Sequence, residues 1–151
     1  MDTIPLHPIG YVENAVAAKK HDGWGADVSS IRLKEEYYGG LKGLEGFSHA
    51  IILFHLDKAC YVREKHLQRR PRNRADMPLT GIFSQRTKDR PNTIGMTAVA
   101  ILSVSESCLI VQGLDALDGT PVLDIKPYFP AYDKRNATVP EWVDRLMENY
   151  F

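Results

Sequence analysis

Short apolar runs recur along nearly the whole chain while only one segment opens like a helix, and this imbalance constrains the fold more than any other feature. Ile9-Gly10-Tyr11-Val12 reads as a short strand. Ser30-Ile31-Arg32-Leu33 alternates with the period of two that gives a strand one apolar face. His49 to His55 is a continuous apolar run with Ile51 and Ile52 at its centre, the pattern of a central strand. Gly81 to Gln85 is expected to form another. Gly95 to Val104 is rich in small and β-branched residues, and Ser105-Glu106-Ser107 separates it from Cys108-Leu109-Ile110-Val111, which predicts a hairpin. Asp118-Gly119 is a turn dipeptide before the strand Val122 to Ile125. The helix start is Thr138-Val139-Pro140-Glu141, with Thr138 as N-cap, and Trp142, Val143, Leu146 and Tyr150 give it one apolar face. A short helical turn is expected between Glu35 and Leu44. The sum predicts a mainly β chain, a closed or nearly closed barrel with a C-terminal helix and short helical turns.

Composition narrows the class. The 151 residues suit a single domain, 1–151, and 44% hydrophobic content is too high for a disordered chain. The longest strongly apolar run, Ala50 to Phe54, falls far short of the roughly 20 residues of a membrane helix. With 19 basic and 19 acidic side chains, the whole molecule is not a polyanion binder, although a local basic patch remains open. Met1-Asp2-Thr3-Ile4-Pro5 lacks the basic start and apolar stretch of a signal peptide. Cys60 and Cys108 are too few for a disulfide scaffold or a four-ligand zinc site, and no histidines stand at metal-ligand spacing. A reduced, cytoplasmic protein without a metal is expected.

Two stretches read as long loops: residues 14–28, exposed and containing Gly23-Trp24-Gly25, and residues 58–80. The second carries Arg63, Lys65, Arg69, Arg70, Arg72 and Arg74, a run that either tracks a phosphate backbone or forms a solvated face. Arg86, Lys88 and Arg90 follow in a polar loop where Pro91 holds Arg90 extended, as suits an anion site. Asp115, Asp118 and Asp124 lie within ten residues of one another. Asp118 is most simply a turn residue. Asp124, between Leu123 and Ile125, needs a partner, and Lys126 stands on the same strand face. No GxGxxG, GxxxxGK[ST] or GxSxG motif is present, so a nucleotide cofactor would be held outside a Rossmann or P-loop frame.

Four blocks in order resemble the TsaA-like (YaeB) family: Pro8 to Val12, the GLEGFSH segment Gly43 to His49, the F-x-x-R-x-x-x-RPN-x-IG signature from Phe83 to Gly95, and the LD-x-x-DGTPV-x-DIKPY block from Leu114 to Tyr128. The resemblance covers about residues 6 to 133. It implies a β-barrel methyltransferase that binds S-adenosyl-L-methionine without a Rossmann sheet, works as a homodimer, and methylates N6 of threonylcarbamoyladenosine at position 37 of tRNA. Carried over by motif, Arg90 and the turn Asp115, Ala116, Leu117 and Asp118 contact the cofactor. Asp57 and Lys58 join them from the end of the central strand, and Trp24 from the preceding loop. Arg69, Arg70, Arg86, Lys88, Asp124 and Lys126 are the candidate substrate contacts. The catalytic residue stays unassigned.

The chain departs from the family at Gln85-Arg86-Thr87-Lys88, where TRSP is usual, and at Thr93, where proline precedes IG. The family's bacterial members also carry a further C-terminal domain that helps hold tRNA. The acceptor therefore stays open between tRNA and a small molecule, with a non-catalytic cofactor-binding module as the third reading.

Overall fold

A computed structural model describes residues 2–18 and 20–151. Six strands close into one antiparallel barrel in the order β1 (Gly10–Glu13), β2 (Val28–Leu33), β7 (Cys108–Gln112), β6 (Ile94–Val104), β3 (His49–His55), β8 (Pro121–Pro127), with β8 returning to β1. The strands follow the sequence pattern. Along β2 the buried positions are Ser29, Ile31 and Leu33, and along β3 they are Ala50, Ile52 and Phe54, so every second side chain enters the barrel. Val12, Val99, Leu109, Val111 and Val122 complete the layers, and each large side chain buried this way contributes about 1.5–3 kcal/mol. Pro121 stands at the first position of its strand, where a missing N–H costs no ladder bond. Register shifts at Leu53/Phe54 and Ile101/Ser103 bend β3 and β6 to close the wall.

One cross-strand pair explains a glycine of the signature segment. Gly95 faces Phe54, and a Cβ at Gly95 would lie 2.5 Å from the ring's Cε2. The bare backbone makes room for the phenyl ring at the point where the loop 85–93 enters β6.

The antiparallel register sends the connections 14–27, 56–93 and 113–120 to one end of the barrel. The connections 34–48 and 105–107 leave the other end. Residues 58–80 are more regular than a loop. They hold α1 (Arg63–His66) and a two-stranded ribbon of β4 (Gln68–Arg69) with β5 (Thr80–Gly81). The strand expected over Gly81–Gln85 stops at Gly81, and Ile82–Ser84 is a 3-10 turn. Ile82 points into the core and Phe83 out to solvent, while the buried Gln85 side chain donates to the carbonyls of Arg69 (2.7 Å) and Thr80 (3.1 Å), replacing the ladder bonds a strand would make.

The helical turn expected between Glu35 and Leu44 is two 3-10 turns, Glu35–Tyr37 and Leu44–Gly46. After the four-residue α2 (Pro130–Asp133), α3 spans Glu141–Met147. Thr138 does not cap it. Pro140, extended at φ −60° and ψ 149°, holds the N-cap position, and no side chain caps the end. Trp142, Val143, Leu146 and Tyr150 are half-buried on the inner side. Arg145 fixes the helix to the loop below by donating to the Asp76 carboxylate (3.0 Å) and carbonyl (3.1 Å). Among the described residues no helix is long and apolar enough to cross a membrane.

Candidate functional site

The candidate residues at 24, 57–58, 90 and 115–118 arise from three separate connections, all at the same barrel end. Asp115 follows β7, and its carboxylate accepts from two hydroxyls: Thr97 of β6 at Oδ1 and Tyr150 at Oδ2. Burial first, and then the negative charge of Asp115, push the Tyr150 phenol well above the ordinary tyrosine range, so it stays a donor. A carboxylate offers about four lone-pair positions, so Asp115 keeps acceptor capacity beyond these two bonds.

The turn after Asp115 is built around a residue the sequence left unremarked. Asn14 Nδ2 donates to the Ala116 carbonyl (2.9 Å) and the Ser29 hydroxyl (3.0 Å), and its Oδ1 accepts from Val16 N (2.8 Å). Asp118 Oδ1 in turn accepts from Asn14 N (2.9 Å), and Thr120 Oγ1 donates to the Leu117 carbonyl (2.7 Å). Asp118 is thus a turn-holding residue, as the Asp-Gly pair predicts. Ala116 is buried, and Leu117 uses its carbonyl to close the turn.

Trp24 corrects the expectation of an exposed loop: it is 4% exposed. The ring is buried under the barrel end, and Lys20 Nζ stands 4.6 Å from its centroid while pairing with Asp27 at 2.5 Å. An amphipathic ring in an otherwise polar stretch carries too much apolar surface to stay in water. Its indole face is already met by a cation of the chain itself.

Arg90 folds back on its own loop, donating from Nη1 to the carbonyls of Gln85 (2.9 Å) and Thr87 (3.1 Å). A guanidinium has five N–H donors, so the remaining nitrogens keep donor capacity. Arg86 donates to the Met96 carbonyl (2.7 Å). Lys88 Nζ lies 3.9 Å from Asp89. Asp89 is the local organiser: it accepts from Cys60 N (3.1 Å) and faces His66 (3.8 Å) and Arg69 (3.7 Å). Asp57 and Lys58 lie exposed just beyond β3, beside the Leu56 N to Thr93 O bond (2.8 Å).

The basic run 63–74 divides in two. Arg69 pairs with Asp89, Arg70 donates to the Met77 carbonyl, Arg72 donates to the His21 carbonyl (3.2 Å) and pairs with Asp22 (3.4 Å), and Arg74 pairs with Asp76 (2.7 Å). These four cations hold their own segment in shape. Arg63 and Lys65, exposed on α1, have no side-chain partner among the described residues.

Asp124 and Lys126 do not join the group. They lie on β8 opposite Leu53 and Ile51 and pair with each other at 2.7 Å, which holds the Lys126 ammonium above its ordinary range. Asp124 borders a separate cleft of about 600 Å³, lined also by Leu33, Tyr37, Tyr38, Leu41 and Phe47, toward the opposite end of the barrel. Among the described residues, no cluster of three or more His, Cys, Asp or Glu is placed to hold a metal.

Tyr150, Thr97 and Asn14 are the residues that sequence reasoning missed. Tyr150 carried a signal only as part of the apolar face of the expected C-terminal helix, which ends at Met147, and its hydroxyl is what matters here.

Residues 17–134 match the family described as the tRNA-methyltransferase O N-terminal domain. A human tRNA (adenine(37)-N6)-methyltransferase is 33% identical over 151 residues, covering 94% of this chain and 34% of the relative. An S-adenosyl-L-methionine-binding protein of Archaeoglobus fulgidus is 39% identical over 132 residues, covering 85% of this chain and 91% of the relative. Two crystal structures of TrmO from Pseudomonas aeruginosa give TM-scores of 0.77 and 0.73 at 29% and 30% identity, covering 95% and 91% of this chain and 63% and 62% of theirs. The chain thus spans about a third of the human relative and nearly the whole of the archaeal one. With a closed six-stranded barrel, the ordered motifs and these likenesses in agreement, the chain belongs to the tRNA-methyltransferase O N-terminal domain family.

Proposed function

We propose that this chain is an S-adenosyl-L-methionine-dependent methyltransferase of the tRNA adenine-N6 type, methylating N6 of threonylcarbamoyladenosine at position 37. The observation that carries the reading is the convergence of Asp57, Lys58, Arg90 and the turn 115–118 on one barrel end. Their chemistry suits a zwitterionic nucleoside. The unused N–H groups of Arg90 match a carboxylate, Asp115 can accept from ribose hydroxyls or an ammonium, and the turn 115–118 adds backbone groups. Trp24 supports the floor of this site from within rather than offering an open ring. When bound, S-adenosylmethionine supplies an electrophilic methyl group. The chain's own task is to orient donor and acceptor in line and exclude water, and such positioning accounts for most of the acceleration.

For the acceptor we assign the phosphate contacts to Lys58, Arg63 and Lys65, with Arg86 and Lys88 flanking the reaction. Arg69 and Arg70 then act as supports of that surface. Each lost phosphate contact lowers the slope of log affinity against log salt by about 0.7–0.9. Arg63→Ala with Lys65→Ala is expected to weaken tRNA binding and flatten that slope without lowering the melting temperature. A homodimer and a cytoplasmic location complete the reading, and a monomeric mass by light scattering would remove the first.

The decisive experiment is transfer of radiolabelled methyl groups to total tRNA, with nucleoside analysis of the product, run beside a metabolite pool. Label in N6-methylated threonylcarbamoyladenosine is expected. Label only in the metabolite pool would establish the second reading, a small-molecule acceptor, which the internal use of four of the six arginines and lysines in 63–74 favours. Cofactor binding without any transfer would establish the third reading, a binding module without catalysis.

A further inference from the structure

The segment after α3 belongs to none of the motifs, yet it touches three parts of the candidate site. Asn149, at a left-handed φ of 63°, turns the chain back, and Tyr150 N donates to the Met147 carbonyl (3.0 Å). Residues 149–151 then lie along the loop 23–25. Gly23 N donates to Asn149 O (2.9 Å) and Trp24 N to Tyr150 O (2.8 Å). Gly25 admits Phe151 at close range, since a Cβ there would stand 2.5 Å from the Phe151 carbonyl carbon. The Tyr150 hydroxyl meets Asp115, and the Arg72 guanidinium lies 6.0 Å from the Tyr150 ring centroid, linking the basic segment to the same side chain.

We propose that Tyr150 is a positioning residue for the cofactor site: through its hydroxyl it fixes the Asp115 carboxylate, and through its backbone it fixes the Gly23–Gly25 loop. Asp115 follows β7, and Thr97 by itself bonds only one of its carboxylate oxygens. With Thr97 on one oxygen and Tyr150 on the other, its unused lone pairs are aimed before any ligand arrives. Setting a side chain in its bound orientation removes an ordering cost that a ligand would otherwise meet. The burial-raised phenol stays protonated and keeps this bond across the physiological range. The proposal rests on the reading of Asp115 and the 23–25 loop as cofactor-binding, and it assigns a role to a segment outside the family signature.

The test is titration calorimetry with S-adenosyl-L-methionine on the intact chain, its Tyr150→Phe variant and its Gly25→Ala variant. Tyr150→Phe is expected to weaken binding by about 3- to 10-fold, the equivalent of one side chain left to be ordered on binding. In turnover the loss should fall on KM for the cofactor, with kcat nearly unchanged. Gly25→Ala lifts Phe151 without altering the tyrosine and is expected to weaken binding by a similar factor, which keeps the test open if the first variant folds poorly. Gly46→Ala, where an added Cβ meets nothing within 4 Å and which lies outside the site, should bind like the parent. Equal affinity in both variants overturns the positioning role alone. Tighter binding overturns it in favour of a segment that competes with the cofactor. A parent chain that does not bind S-adenosyl-L-methionine overturns the cofactor reading itself, and this proposal with it.

Discussion

Gly95→Ala probes why the signature segment ends in glycine. The added methyl group would stand 2.5 Å from Phe54 Cε2, 2.6 Å from Cζ and 3.0 Å from Cδ2, all well inside ordinary carbon contact. Phe54 is 2% exposed, so its ring has no empty space into which to turn. Overpacking of this kind costs about 1–3 kcal/mol. Against it, alanine restricts the unfolded chain and returns about 0.4–1 kcal/mol, because Gly95 is not in the left-handed region. At the midpoints of these ranges the net loss is about 1.3 kcal/mol, or a melting temperature lower by about 3–5 °C for a chain of this length. Gly46→Ala is the control, since a Cβ there meets nothing within 4 Å. Urea and thermal unfolding of Gly95→Ala, Phe54→Leu and the double variant then form a cycle. Shrinking the ring should make the alanine cheaper, with a coupling of about 0.5 kcal/mol or more. An unchanged melting temperature for Gly95→Ala, or strict additivity in the cycle, refutes the argument.

Two further outcomes follow from the contacts around Asp115. Asn14→Ala removes three side-chain hydrogen bonds and leaves the Ala116 carbonyl unpaired, and is expected to cost about 1–3 kcal/mol in urea unfolding and loosen the 115–118 turn; a loss below about 0.5 kcal/mol counts against it. The Tyr150 phenol is neutral in the folded state and its ionisation is raised, so the stability it lends is full below the ordinary phenol value of about 10 and is lost as pH climbs through the higher folded value. Absorbance at about 295 nm should therefore rise equally for the parent and Tyr150→Phe between about pH 8 and pH 11; a smaller rise in the variant would show that Tyr150 ionises normally.

The barrel itself was legible because strand alternation is a local property. Ile31 and Leu33, or Ile52 and Phe54, face inward by position in their own strands, whatever lies opposite. Strand direction then sends the connections 56–93 and 113–120, which carry two of the four motifs, to one barrel end, while the Gly43–His49 motif falls at the other. Charge did not reveal its own use so readily. Arg69, Arg70, Arg72 and Arg74 looked like a phosphate-facing run beside Arg63 and Lys65, but their partners come from separate turns of the chain, down to Asp22 and up to Asp89. Asp124, grouped with Asp115 by sequence, lies along its strand in another direction and pairs with Lys126.

What the sequence determined by itself is the six barrel strands, the inward face of β2 and the family, because these depend on local pattern and on the order of short motifs. What only the tertiary structure decided is which polar groups meet: Asn14 with Asp118 across 104 positions, Tyr150 with Asp115 across 35, and the burial of Trp24 beneath Lys20. A hydrogen bond is made between atoms about 3 Å apart and carries no memory of separation along the chain, so no local pattern can announce its partner.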